Sequence, residues 1–78
     1  MKEYKIEYIN VWGDVEIHYH KNYILANKNI NKAIKMNHYE LEKIKVYRYD
    51  YYDKKYYLLC WIKPKDNIYI LGRRNKDE

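Results

Sequence analysis

The sequence predicts an α+β fold in which one antiparallel sheet of about five strands carries a single helix on one face, in the order ββαβββ. Apolar and polar residues alternate from Tyr4 to Tyr23, helical spacing follows, and strand-like patterns return from Lys43 onward. A chain of 78 residues allows one domain. We assign residues 1–72 to that domain and residues 73–78 to a charged, flexible tail.

The first two strands are predicted to form a hairpin around a two-residue turn at Gly13 and Asp14. This turn places Trp12 opposite Val15. The side expected to be buried is then largely apolar and carries Tyr4, Ile6, Tyr8, Trp12, Val15, Ile17 and Tyr19. The opposite side is expected to be mostly solvated and carries Lys5, Glu7, Ile9, Val11, Glu16, His18 and His20.

A helix is predicted after the hairpin, because Ile30, Ala33 and Ile34 recur near helical spacing. Asn27 or Asn29 is the expected N-cap. The helix either ends at position 37 or continues to about position 42. The pattern of residues 23–26 fits a strand end, a short extra strand or a first helical turn. If these residues form a strand, a small OB-like barrel is the alternative fold.

Three further strands are predicted after the helix. Residues 43–49 alternate, residues 50–55 form a loop, and residues 56–62 are a continuous apolar run. Such a run is typical of a central strand that is covered on both faces. Residues 63–67 then form a turn around a proline, and residues 68–71 form a short last strand.

Any even-numbered loop in this second hairpin sorts its residues onto two faces of the sheet. The face expected to meet the helix carries Ile44, Val46, Arg48, Tyr57, Leu59 and Trp61, with Ile68 and Ile70. The other face carries tyrosines and lysines around an aliphatic centre: Lys43, Lys45, Tyr47, Tyr49, Tyr51, Tyr56, Leu58, Cys60, Ile62, Tyr69 and Leu71.

Composition argues against an enzyme and against a cofactor. Serine and threonine are absent, and the two glycines fall in predicted turns, which excludes a glycine-rich phosphate loop. Cys60 lies in the apolar run without a basic neighbour, so we expect an unreactive thiol. A lone cysteine forms no internal disulfide, and no apolar stretch reaches membrane-spanning length. We therefore expect a cytoplasmic protein that does not bind membranes.

Glu16, His18 and His20 are the only metal-ligand candidates, and alternation places them on one side of a strand. This pattern arises often by chance. The predicted register offers a simpler arrangement, in which Glu7 lies across from His20 on a solvated face. We therefore expect no bound metal.

The formal charge of +5 and the tyrosine cluster of the second hairpin predict a small, non-enzymatic binding module. Its expected partner is a protein or a nucleoprotein complex. The residues expected to contact this partner are Lys43, Lys45, Tyr47, Tyr49, Tyr51, Tyr52, Lys54, Lys55 and Tyr69. The alternatives are a protein that binds single-stranded DNA or RNA and a homodimeric structural protein.

The provenance hypothesis is a phage or mobile-element accessory protein, such as an anti-CRISPR-like inhibitor of a host defence nuclease. It rests on the small size and AT-rich residue usage of the chain, and no individual residue supports it.

Overall fold

The computed structural model describes residues 2–37 and 40–64. Its elements are β1 (Tyr4–Asn10), β2 (Val15–His20), α1 (Tyr23–Asn37), β3 (Leu41–Asp50) and β4 (Lys55–Ile62). The four strands form one antiparallel sheet in the order β2-β1-β3-β4. The α+β class is confirmed, with four strands instead of about five. The strand predicted at 68–71 and the tail at 73–78 lie outside the described residues.

The first hairpin turns through three residues, and the predicted two-residue turn is wrong. Asn10 N donates to Asp14 O at 3.0 Å, and Gly13 N donates to Asn10 O at 3.0 Å. The Asn10 side chain also accepts from Trp12 N and Asp14 N. Gly13 has a φ of 91°, a left-handed conformation that glycine adopts without steric cost. The loop therefore places its glycine last, after Val11 and Trp12.

An odd-numbered loop reverses the two sides of β2, because successive strand residues point to opposite faces. Glu7 pairs with Ile17, so the predicted pair of Glu7 with His20 is wrong. Of the side predicted to be buried, the β1 residues Tyr4, Ile6 and Tyr8 are buried. The turn and β2 residues are at the surface, with exposed fractions of 70% for Trp12, 53% for Val15, 48% for Ile17 and 46% for Tyr19. Glu16, His18 and His20 instead share the helix-facing side with Tyr4, Ile6 and Tyr8.

Helix α1 begins earlier than predicted. The Asn22 side chain accepts a hydrogen bond from Leu25 N at 3.0 Å, so Asn22 is the N-cap in place of Asn27 or Asn29. Residues 23–26 are the first helical turn, which removes the condition for the OB-like barrel. Within the part of the chain that the structure describes, α1 is the only helix and is too short and polar to cross a membrane.

The core lies between α1 and one face of the sheet. Fully or almost fully buried side chains come from every element except β2: Tyr4, Ile6, Tyr8, Ala26, Ile30, Ile34, Leu41, Ile44, Val46 and Ile62. The Tyr8 hydroxyl donates to the Asn29 side chain and so links β1 to the helix. Burial strongly raises the pKa of Tyr8, which keeps this phenol protonated and able to donate.

The second hairpin has the even-numbered loop that the sequence predicts, closed by the pairing of Asp50 with Lys55. Asp50 stabilises the turn, since its side chain accepts from Tyr52 N at 2.8 Å and its carbonyl accepts from Lys54 N at 2.7 Å. Lys54 has a φ of 57°. Tyr57 donates its hydroxyl to Asp53 at 2.6 Å.

A β-bulge at Leu59 then changes the face of every later residue in β4. Tyr47 pairs with Leu58, whereas Val46 pairs with Cys60, so Leu59 has no partner in β3. Cys60 and Ile62 therefore point toward the helix with Val46 and Ile44, and Trp61 points away from it with Lys45. The sequence placed Cys60, Trp61 and Ile62 on the wrong faces because it carried no sign of this extra residue.

Among the described residues, strand β4 lies at the edge of the sheet. The sequence predicted a central strand covered on both faces, and within this part of the chain that prediction is wrong. The exposed fractions in β4 are 42% for Tyr57, 51% for Leu58, 49% for Leu59 and 51% for Trp61. Only Ile62 of this strand is buried.

We expect Ile6→Ala to lower the free energy of unfolding by about 2–5 kcal/mol, because it leaves a cavity under the helix. Ile17→Ala is the matched control and should cost well under half as much, since Ile17 is 48% exposed. Urea denaturation of both variants measures the difference. Equal losses would show that β2 has the register predicted from the sequence.

Candidate binding surface

No described residue covers the sheet face that points away from α1, and we call this face the open face. Its members follow from the strand registers and the bulge. They are Lys5, Glu7, Ile9, Val15, Ile17, Tyr19, Lys43, Lys45, Tyr47, Tyr49, Tyr56, Leu58 and Trp61. Each strand therefore contributes to this face.

The centre of the open face is charged. Strands β1 and β3 place three lysines there against one carboxylate, with Glu7 paired to Lys45 across the strands. Lys5 Nζ lies 3.7 Å from the Glu7 carboxylate and 4.5 Å from the centre of the Tyr47 ring. Lys43 Nζ lies 4.9 Å from the Trp61 ring. The ammonium groups thus lie over aromatic faces while their charges remain at the surface.

Tyrosines crowd one end of the open face and contact one another. The Tyr56 ring lies 5.1 Å from Tyr49 and 5.8 Å from Tyr19, measured between ring centres. Tyr51, in the turn, lies 5.0 Å from Tyr49 in an edge-on arrangement. Tyr56 also donates its hydroxyl to Lys2 O at 2.7 Å. These contacts hold the rings in place and reduce the rotamer entropy lost when a partner binds.

The two margins of the open face are apolar. Strand β2 contributes Val15, Ile17 and Tyr19, and β4 contributes Leu58 and Trp61. All five side chains are about half exposed, between 46% and 53%. Apolar groups left exposed in this number on one face are typical of a contact surface.

The pKa of the Tyr47 phenol, near the centre of the open face, is raised above its ordinary value. Burial raises its pKa, and the negative charge of Glu7 and a hydrogen bond donated to that carboxylate at 3.2 Å raise it further. Burial also raises the pKa of Tyr56. Both phenols are therefore neutral donors at physiological pH.

The structure brings together only part of the predicted site. Lys43, Lys45, Tyr47 and Tyr49 lie side by side along β3 on the open face. The tip residues differ: the Tyr51 ring packs on Tyr49, Tyr52 is 97% exposed, and Lys54 is exposed in the turn. Lys55 belongs to the opposite face, where its Nζ lies 5.3 Å from the Tyr57 ring. Tyr69 lies outside the described residues.

The sequence predicted Leu58 on this face but missed Trp61, the β2 margin and Lys5. It placed Val15, Ile17 and Tyr19 in the core, and it did not include Lys5 or Trp61 in the site. The signal available for β2 was Asn10, because an asparagine that begins a turn often binds the following backbone amides with its side chain. Reading the turn from Asn10 gives the observed loop length.

The polar residues of β2 form a separate cluster on the helix-facing side of the sheet. His18 lies 3.1 Å from the Glu16 carboxylate and edge-on to Tyr8, with ring centres 5.3 Å apart. Burial lowers the pKa of His20, although a hydrogen bond with Asn29 opposes this. Across residues 2–37 and 40–64, no three His, Cys, Asp or Glu side chains are arranged to hold a metal ion.

Cys60 lies on the helix-facing side of β4 and packs against the core. Burial raises the pKa of its thiol, which disfavours the nucleophilic thiolate.

Comparison of the chain with family models, with curated proteins and with solved structures finds no match. The open face is the feature of the molecule that bears on its function: it has a lysine-bearing centre, fixed tyrosine rings at one end and two apolar margins.

We expect Glu7→Gln to lower the pKa of Tyr47, which should stay above the ordinary 10.0 because burial is the larger cause of the shift. The raised pKa means that this phenol stabilises the fold fully below pH 10.0 and progressively less as the pH rises above it. An NMR titration of the tyrosine ring carbons measures the change. Glu3→Gln is the control, because Glu3 pairs with Arg48. An unchanged Tyr47 pKa in Glu7→Gln would contradict the assigned pairing.

Proposed function

We propose that the chain is a small, non-enzymatic binding module that uses its open face to engage a protein or a nucleoprotein complex. The observation that supports this most directly is the pair of apolar margins, each about half exposed, on either side of a positively charged centre. The centre carries three lysines and one glutamate, so the complementary surface is mildly acidic.

The charged centre argues against an apolar layer that would cover this face as a second hydrophobic core. Lys5, Glu7, Lys43 and Lys45 would all be desolvated if a second apolar layer covered them, and each buried charge costs several kcal/mol unless it is paired. A partner with its own acidic and polar groups avoids this cost, because its carboxylates pair with the lysines while its apolar groups meet the margins.

Direct binding of single-stranded nucleic acid is the second candidate, and the tyrosine rings beside lysines are the observation that favours it. The contacts of the lysines with the aromatic rings support nucleic-acid binding less well than they support protein binding. Ammonium groups already lie over the Tyr47 and Trp61 rings, so a stacking base would have to displace them. The apolar chains of Val15, Ile17 and Leu58 also offer nothing to a phosphate.

The provenance hypothesis of a phage or mobile-element protein that inhibits a defence nuclease stays a prediction. It fits a module that binds a nucleoprotein, and the test below is independent of it.

Photo-crosslinking from the open face tests the proposal. We expect a benzoyl-phenylalanine at Leu58 to crosslink one protein in a lysate of its native cells, before and after nuclease treatment. Met36 is the matched control position, because it is 70% exposed on the helix, on the other side of the sheet. Trp61→Ala should weaken the Leu58 crosslink about tenfold or more, as expected for a large aromatic contact within the interface.

Two results would contradict the protein proposal. The first is equal crosslinking from Met36 and Leu58. The second is loss of the Leu58 crosslink after nuclease treatment, together with binding to oligothymidylate that falls steeply with added salt and disappears in Lys43→Glu with Lys45→Glu.

A further inference from the structure

Strand β2 is one edge of the sheet, and the structure shows which of its backbone groups point outward. In an antiparallel pair, residues that exchange both hydrogen bonds alternate with residues that exchange none. The bond from Asn10 N to Asp14 O marks a hydrogen-bonded pair, so the N–H and C=O groups of the even-numbered β2 residues point toward β1. The N–H and C=O groups of Val15, Ile17 and Tyr19 point away from the sheet.

This edge lacks the bulge, the lysine and the proline that often prevent pairing with another strand. Its register with β1 is uninterrupted from Val15 to His20, and its six residues include no lysine and no proline. The opposite edge of the described sheet, β4, contains a bulge and begins with Lys55. Of the two edges, β2 is therefore the regular one that an extended strand can join.

We propose that a second copy of this chain pairs with β2 in antiparallel fashion, with Ile17 opposite Ile17 of the second copy. This register matches outward-facing residues with outward-facing residues, as the hydrogen bonds require. The two-fold axis is perpendicular to the sheet, so the sheet continues across the interface. The proposal does not depend on the proposed partner of the open face.

Complementary polar side chains select the second copy as the occupant, with carboxylates opposite imidazoles and two lysines beside the incoming Asp14. In this register Glu16 lies opposite His18 of the second copy, and Asp14 lies opposite His20, with each pair occurring twice. Both pairs lie on the helix side of the sheet. A groove of about 270 Å³ beside His20 has basic side chains from Lys28 and Lys32, which suit the incoming Asp14 carboxylate.

The open-face side of the interface is apolar. Ile17 meets Ile17, and Val15 meets Tyr19 twice, which are favourable cross-strand pairs. These three side chains are each about half exposed in the single chain. The two open faces point to the same side, so the β2 margins of both copies join into one apolar strip.

The two neighbouring registers that still match outward-facing residues, each shifted by two residues, have poorer cross-strand pairs. A shift in one direction places Glu16 opposite Glu16, and a shift in the other places His18 opposite His18. Each shift sets like polar groups across from each other at the symmetry axis, a position that two isoleucines occupy in the proposed register. Ile17 is therefore the residue on the axis.

Cysteine crosslinking tests the register, in a Cys60→Ala background that leaves no other thiol. We expect Ile17→Cys to form a disulfide-linked dimer on mild oxidation, because directly opposite residues lie about 5.5 Å apart between Cα atoms. Val15→Cys is the matched control, since its copies lie four residues apart along the strands, about 13 Å. Preferential crosslinking of Val15→Cys, or of His18→Cys, would overturn this register.

Light scattering tests the dimer itself. We expect the unmodified chain to reach twice its 9.9 kDa mass at high micromolar concentration. Ile17→Pro should remain folded and monomeric, because it removes only an outward N–H at an edge. If Ile17→Pro does not fold, Ile17→Lys decides, since an edge lysine opposes strand pairing without altering the backbone. A monomer at every concentration, or a dimer that persists in the folded variant, would overturn the proposal.

Discussion

The three-residue turn of the first hairpin is the constraint on which both faces of this sheet depend. Gly13 takes a left-handed conformation as the last loop residue, and Asn10 secures the turn with its backbone and its side chain. An odd-numbered loop then sets the direction of every β2 side chain. It turns Val15, Ile17 and Tyr19 to the open face and turns Glu16, His18 and His20 toward the helix.

A second irregularity completes the arrangement at the other margin. The bulge at Leu59 turns Ile62 and Cys60 into the core, where they extend the layer under the helix, and it turns Trp61 outward beside Lys43. The regular parts of β1 and β3 supply the charged centre between these margins. Helix α1 covers one face, so the other face can present apolar margins and fixed rings to a partner.

Periodicity predicted the elements well, because the helix and all four described strands lie where the pattern changes. It also identified the tyrosine and lysine face of β3, since Lys43, Lys45, Tyr47 and Tyr49 alternate without interruption. Periodicity failed at the two places where one extra residue, in the first turn or in the β4 bulge, changed which side chains face the helix. A two-residue and a three-residue loop around Gly13 differ little in composition, and Leu59 is as apolar as its neighbours, so neither change left a hydrophobic signal.

The register of the first hairpin is tested most directly by proton NMR. Opposite residues that exchange no hydrogen bonds bring their Hα protons close together, because their Cα atoms lie about 4.5 Å apart. The structure requires strong Hα–Hα contacts between Glu7 and Ile17 and between Lys5 and Tyr19. Contacts that instead join Ile9 to His18 or Glu7 to His20 would return β2 to the even-loop register and contradict the assignment of its apolar residues to the open face.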